Sequence, residues 1–146
     1  MVTLQVIKAD EIVNTFISKG NEHLGVMGYT DHGPIHIGLV SHLSQEILER
    51  LGYDKRMAEL AGIAGYMHDI GNVVNRNGHS QSGALMAMEI LRRLGMEPEE
   101  ISIICAAIGN HEEGSGHPVN EVAAALILAD KSHVHRNRVR NLDVAT

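Results

Sequence analysis

Hydrophobic residues recur at intervals of three and four along the chain, and no segment shows the strict alternation of a half-buried strand. Such spacing places apolar side chains on one face of an α-helix. Val40, Leu43 and Ile47 share one face of a segment that opens at Pro34, a residue tolerated in the first helical turn, and stops at Gly52. The pattern predicts an all-α fold.

Six segments carry this helical pattern, at about residues 10–19, 34–51, 54–68, 80–94, 98–109 and 119–133. We expect the first of them to stop near Gly20. The chain of 146 residues shows no internal repeat and no linker. Residues 1–146 are therefore predicted to form one domain, a compact bundle of about six helices around a single core.

Composition narrows the classes of function. Twelve Lys and Arg residues against 18 Asp and Glu give a net charge of −6, the wrong sign for binding a nucleic-acid duplex. No apolar run is long enough for a membrane span and no leader pattern is present, so we expect a cytoplasmic protein with no membrane partner. Cys105 is alone and cannot form an internal disulfide. Ten histidines are the unusual feature, since histidine is the commonest protein metal ligand.

Three histidines and one aspartate fall on the apolar faces of the predicted helices. The positions on such faces are His36, His68, His111 and Asp130. A lone core histidine is usually a hydrogen-bonded packing residue, and a buried aspartate can simply cap a neighbouring helix. Four such residues in one core need a shared partner, because each unpaired buried polar group costs about 1–3 kcal/mol. A divalent cation satisfies imidazoles and carboxylates together, which favours a metal site in the helical core.

The order of these residues resembles the H…HD…D signature of the HD-domain metal-dependent phosphohydrolases, which are all-helical. The similarity extends over about residues 31–140. Its most specific parts are the HIGLV segment at 36–40, the MHDIG segment at 67–71 and the Ala129-Asp130 pair. The resemblance implies a metal ion held by His36, His68, Asp69 and Asp130.

Two further segments resemble the branches of this superfamily that hold two metal ions. His79 opens an H…GA segment, and His111 lies in an NHE segment similar to the HHE of those branches. The resemblance then implies a dinuclear centre in which His79 and His111 bind the second ion and Asp69 bridges the two. In the alternative interpretation His79 is an exposed helix cap, and only one metal ion binds.

The similarity to the HD-GYP cyclic-dinucleotide phosphodiesterases is partial. Asn72 stands where their HDIG block continues with lysine, Asn110 replaces the first histidine of HHE, and residues 114–118 resemble their GxGYP with histidine for tyrosine. Asn72 also replaces the glutamate that helps catalysis in the nucleoside-monophosphate phosphatases of the superfamily. The chain fits neither branch fully.

The resemblance and the ligand chemistry together predict a metal-dependent phosphohydrolase. Its expected substrate is a phosphomonoester or phosphodiester of a nucleotide or related small molecule, attacked by hydroxide that one or two divalent ions (Mn, Fe, Ni, Zn or Mg) generate. The residues expected to take part in catalysis are Asp69, Lys131, His133 and His32. Those expected to bind the substrate phosphate are Lys131, Arg136, Arg138 and Arg76. The alternative for the basic residues is a solvated tail and an exposed loop arginine.

Two other classes of function remain open at this point. Some dinuclear HD proteins are oxygenases that use mixed-valent iron, and a third possibility is a non-catalytic nucleotide-binding module. Oxygen consumption, or nucleotide binding without turnover, would discriminate these from hydrolysis. Members of the superfamily form dimers, so the resemblance leaves a homodimer open.

Overall fold

The computed structural model describes residues 1–112 and 114–133, and every regular element in that part of the chain is helical. The elements are α1 (Leu4–Ala9), α2 (Glu11–Val26), α3 (Pro34–Arg50), α4 (Lys55–Met67), a 3₁₀ turn (Ile70–Val73), α5 (His79–Leu94), α6 (Pro98–Gly109) and α7 (Glu121–Ser132). The all-α prediction is confirmed. None of these helices is both long enough and apolar enough to cross a bilayer.

Short-range chemistry sets most of the helix starts. The side chains of Asp10, Asp54 and Asn120 each accept a backbone N–H from the following first turn, at 3.0, 2.8 and 2.7 Å. Such caps satisfy donors that have no partner within the helix. Pro34 and Pro98 occupy first helical positions, where a missing N–H does no harm. The sequence signals therefore place these starts correctly.

The structure differs from the sequence prediction at two points near the N-terminus, a helix that was not predicted and a helix end that was predicted wrongly. The six-residue helix α1 escapes the periodicity analysis because it buries Ile7 alone among its residues, too few for a pattern. Helix α2 does not stop at Gly20 but continues to Val26. Gly20 is a packing position: a β-carbon there would lie 3.1 Å from the backbone nitrogen of Val73. The glycine lets α2 approach the 3₁₀ turn.

Helix α4 lies at the centre of the bundle and packs against α3, α6 and α7. Eight of its 13 residues are buried, and small side chains recur along it. At Gly65 a β-carbon would lie 2.8 Å from the Cα of Ser41, so the backbones of α3 and α4 pass very close to each other. This close crossing places His36, on α3, next to His68, the residue that ends α4.

Candidate metal centre

Six side chains from six different parts of the fold meet in the core. The residues, all named by the sequence pattern, are His36, His68, Asp69, His79, His111 and Asp130. His36 and Asp130 lie on α3 and α7, and His79 is the first residue of α5. His68 and Asp69 lie between α4 and the 3₁₀ turn, and His111 lies just after α6. The alternative that His79 is an exposed cap is wrong, since this residue is only 1% exposed.

The first group consists of His36, His68, Asp69 and Asp130. The Nε2 atom of His36 lies 3.4 Å from Asp69 Oδ2 and 3.4 Å from Asp130 Oδ1. The Nε2 atom of His68 lies 3.3 and 3.5 Å from the same two oxygens. Neither nitrogen has a hydrogen-bond partner of good geometry, although both are buried. Atoms bound about 2.1 Å from one tetrahedral ion stand about 3.4 Å apart, so the donor set fits a cation at its centre.

Main-chain hydrogen bonds fix how three of the imidazoles are oriented. His68, His79 and His111 each place Nδ1 on the carbonyl oxygen three residues earlier, at 2.7, 3.0 and 2.6 Å. A carbonyl only accepts, so Nδ1 carries a proton in each ring, and whenever the ring is neutral its Nε2 has a lone pair. The Nε2 atoms of His79 and His111 lie 3.1 Å apart. When both of these rings are neutral, two lone pairs face each other at this distance and need a cation or a shared proton between them.

The carboxylate of Asp69 lies between the two pairs of histidines. Its Oδ2 faces His36 and His68, at 3.4 and 3.3 Å. Its Oδ1 faces His79 and His111, at 3.5 and 3.8 Å. One oxygen for each pair is the arrangement that a bridging carboxylate needs. The geometry therefore fits two cation positions with Asp69 between them.

The two carboxylates of the centre, Asp69 and Asp130, are stabilised by positive charge close to them. Burial acts to raise the pKa of Asp69, but the neighbouring His68, together with the nearby imidazoles of His111 and His32, holds the pKa of this carboxyl well below its usual range. The pKa of Asp130 is lowered in the same way, by His68 and His36 against the effect of burial. Burial acts to lower the pKa of His68, and the two carboxylates outweigh it and raise that pKa to about 10. Without metal, a proton on His68 partly balances the two carboxylates.

Two more buried histidines, His32 and His133, contact residues of the candidate ligand set. His32 Nδ1 lies 2.7 Å from Asp69 Oδ2, and His133 Nδ1 lies 2.8 Å from His36 Nδ1. The rings of His36 and His133 are stacked, with centroids 5.0 Å apart. Neither His32 nor His133 is among the described residues that line the cleft beside the centre. Each of them contacts a candidate ligand side chain, which suits a role in holding that side chain in place.

A cleft of about 510 Å³ opens onto the centre. Asp130, His79 and His111 reach its wall, and the cations Arg76 and Lys131 line it beside them. Arg76 Nη1 lies 3.6 Å from Asp69 Oδ1, whereas Lys131 is exposed on α7. Arg136 and Arg138, also predicted to bind phosphate, lie outside the described residues.

A comparison with protein-family models matches the HD domain to residues 35–135, a range that contains all six candidate ligands. The chain belongs to the HD domain family. Proteins of this family are mostly metal-dependent hydrolases and typically bind divalent metal ions, in agreement with the donor set described above.

One relative of this HD domain is the protein MJ1020 of Methanocaldococcus jannaschii, which is described as uncharacterized. It is 27% identical over 162 aligned residues, covering 96% of this chain. The chain spans 62% of the relative's length. No solved structure matches the chain.

The sequence pattern missed one polar contact of this HD domain. Asn72, buried in the 3₁₀ turn, accepts a hydrogen bond at 3.2 Å from Nη1 of Arg76. The contact holds the guanidinium on the side of the cleft where Asp69 lies. Asn72 stands at the position where the sequence departs from both known branches, and no helical spacing indicates its contact with Arg76, because the two residues lie in the 3₁₀ turn and in the loop that follows it.

Proposed function

We propose that this HD domain is a metal-dependent phosphohydrolase that cleaves a phosphomonoester or phosphodiester bond in a nucleotide or related small molecule. The observation that carries the proposal is the set of buried imidazole nitrogens, two of them without a hydrogen-bond partner, around two carboxylates and beside a cleft lined by two cations. Metal ions held by these groups, together with the basic side chains that line the cleft, would attract an anionic substrate.

His36, His68, Asp69 and Asp130 would hold the first ion, and His79, His111 and Asp69 the second. When bound, such ions neutralise phosphoryl charge and make water acidic enough to supply a nucleophile near neutral pH. Mn, Fe, Ni, Zn and Mg are all candidates, because imidazole and carboxylate ligands suit several of them.

The other residues of the site act on the substrate or on the ligands. Lys131 and Arg76 bind the phosphoryl oxygens, Arg76 with a fork of N–H donors that Asn72 orients. His32 is a positioning residue for Asp69, because its Nδ1 contacts the carboxylate rather than the cleft. His133 positions His36 by pairing with its Nδ1, which leaves Nε2 of His36 for a ligand bond.

The test combines metal analysis with a substrate panel. The protein is loaded separately with each candidate metal, and phosphate release is measured from nucleoside phosphates, cyclic nucleotides and simple phosphate esters. We expect up to two equivalents of bound metal and turnover of at least one class. His68→Ala and Asp69→Ala should lose both, whereas His42→Ala, which removes an exposed histidine of α3, should keep both.

Failure to bind metal under every loading condition, or unchanged turnover in Asp69→Ala, would overturn the proposal. Iron-dependent oxygen consumption without phosphate release would support the oxygenase alternative instead. Tight nucleotide binding that is unchanged when metal is stripped would support a non-catalytic binding module.

A further inference from the structure

Helix α7 carries apolar residues on a second face that does not belong to the core. Its core face consists of the buried residues Val122, Ala123, Ala125, Leu126 and Ala129. Ala124, Ile127 and Leu128 point elsewhere and line the cleft beside the metal centre. Leu128 is 56% exposed, and Ile127 is half-buried. We name these three residues the α7 cleft stripe.

The stripe leads directly to the charged end of the cleft. Ala124, Ile127, Leu128 and Lys131 follow the spacing of three and four that aligns side chains on one helix face. Seven residues of helix rise about 10 Å, so the apolar wall extends about 10 Å from Lys131. A ligand with its anionic group at the metal centre would therefore lay its remaining atoms against apolar side chains.

Among the described residues, the loop before α7 adds no charged side chain to the lining beyond Glu112. Gly114, Gly116 and Pro118 contribute to the lining, and none of them has a polar side chain. Glu112 lies at the metal end, where its Oε1 accepts a hydrogen bond from the Ser80 hydroxyl at 3.1 Å. Among the described lining residues, the cations are Arg76 and Lys131, both at the same end. This distribution of charge suits a ligand with one phosphoryl group at the metal end and an uncharged remainder along the cleft.

We propose that the substrate of this cleft is a phosphate ester with a single phosphoryl group and an uncharged, aromatic or otherwise apolar body that binds along the α7 cleft stripe. The proposal rests on the proposed phosphohydrolase function and deepens it. The cleft volume of about 510 Å³ lies within the range of small-molecule sites and accommodates an aromatic body. All phosphate esters share the phosphoryl group that the metal end binds. Burial of an apolar body against Ile127 and Leu128 then makes some esters bind more tightly than others.

The experiment measures binding apart from turnover. The zinc-loaded protein is titrated calorimetrically with phenylphosphonate and with methylphosphonate, which share the anionic group and differ in the body. We expect phenylphosphonate to bind at least about tenfold more tightly, a difference of about 1.4 kcal/mol. Leu128→Gln keeps a good helix-forming residue and removes the apolar contact, so it should reduce that ratio to less than about threefold while methylphosphonate affinity stays nearly constant.

The matched control is Leu85→Gln, which changes an exposed leucine of α5 that is not among the residues lining the cleft. It should leave the ratio as in the unmodified protein. A ratio near one in the unmodified protein, no binding of either probe, or a ratio that survives Leu128→Gln overturns the proposal.

Hydrolysis of phenyl phosphate and methyl phosphate separates this proposal from the proposed function. If the phosphonates are discriminated but no ester is hydrolysed with any metal, the phosphohydrolase function fails and the apolar subsite stands. If both esters are hydrolysed with equal kcat/KM, the function stands and the apolar subsite is wrong.

Discussion

Replacing Gly71 with alanine tests how the 3₁₀ turn places the second pair of histidines. Gly71 lies against the first turn of α5, and a β-carbon there would overlap the carbonyl oxygen of His79. It would also lie 2.6 Å from Ser82 Oγ and 2.7 Å from the backbone nitrogen of Gly83. Because two of these three contacts are with backbone, a side-chain rotation cannot relieve them. The start of α5 must move away from the turn.

The movement has a cost in stability and in metal binding. Overpacking of this kind destabilises a protein by about 1–3 kcal/mol. It also displaces His79, whose Nε2 now lies 3.5 Å from Asp69 Oδ1 and 3.1 Å from His111 Nε2. Loss of ligand support typically weakens metal binding by about 10- to 100-fold, so we expect the second ion to be lost first. His36 and His68 lie on other elements and should still bind one ion.

The assay compares bound metal by elemental analysis and the free energy of unfolding by urea denaturation. Gly38→Ala on α3 is the control, because a β-carbon at Gly38 meets no atom within 4 Å. That change should be neutral or stabilise the helix by up to about 1 kcal/mol. If Gly71→Ala retains the same metal stoichiometry and unfolds with the same free energy as Gly38→Ala, the packing argument is refuted.

Three further predictions concern a helix cap, the core and the cleft. Asp10→Ala should lower the free energy of unfolding by about 1 kcal/mol at pH 7, and Asp10→Asn by less, because asparagine also caps helices. Burial acts to raise the pKa of Asp10, but hydrogen bonds from the Val13 N–H and from Arg93 outweigh burial and lower that pKa. The charge of Asp10 therefore stabilises the fold above about pH 4, and this contribution is lost as the pH falls through the lowered pKa. If the Asp10→Asn variant and the unmodified protein differ in urea stability by the same amount at pH 7 and at pH 3, this sign is contradicted. Ile104→Ala, at a fully buried position of α6, should cost about 2–5 kcal/mol in thermal or urea unfolding, and a cost below about 1 kcal/mol would show that the core there is loosely packed. Lys131→Ala should lower kcat/KM for a phosphate ester at least about tenfold with bound metal unchanged, whereas loss of metal would show a structural role instead.

Much of the fold could be predicted because its signals are local. The cap at Asp54 and the prolines at 34 and 98 mark helix starts within a few residues of sequence. Gly20 misled the prediction for α2, because its small size serves a contact with the distant 3₁₀ turn. Whether a glycine ends a helix or allows another element to approach depends on the fold and not on the neighbouring residues.

Four of the six candidate ligands, His36, His68, His111 and Asp130, could be selected from helical spacing, because a polar residue on an apolar helix face is conspicuous in the sequence. Asp69 and His79 could be named only through the resemblance to a known family. What holds the ligands could not be selected in this way. The contact of His36 with His133 joins residues 97 positions apart, and that of His32 with Asp69 joins residues 37 apart. Such pairs depend on how helices pack, which the spacing of residues along one helix does not specify.

The main-chain anchoring of three ligand rings affects how mutation can damage the centre. The partner of Nδ1 in His68, His79 and His111 is a peptide oxygen, which every amino acid possesses, so no side-chain replacement at the partner position deletes it. His36 differs, because the atom facing its Nδ1 belongs to the replaceable side chain of His133. A single substitution at position 133 can therefore remove the side chain that holds the His36 ring, whereas the main-chain partners of the other three rings are not lost by a change of side chain.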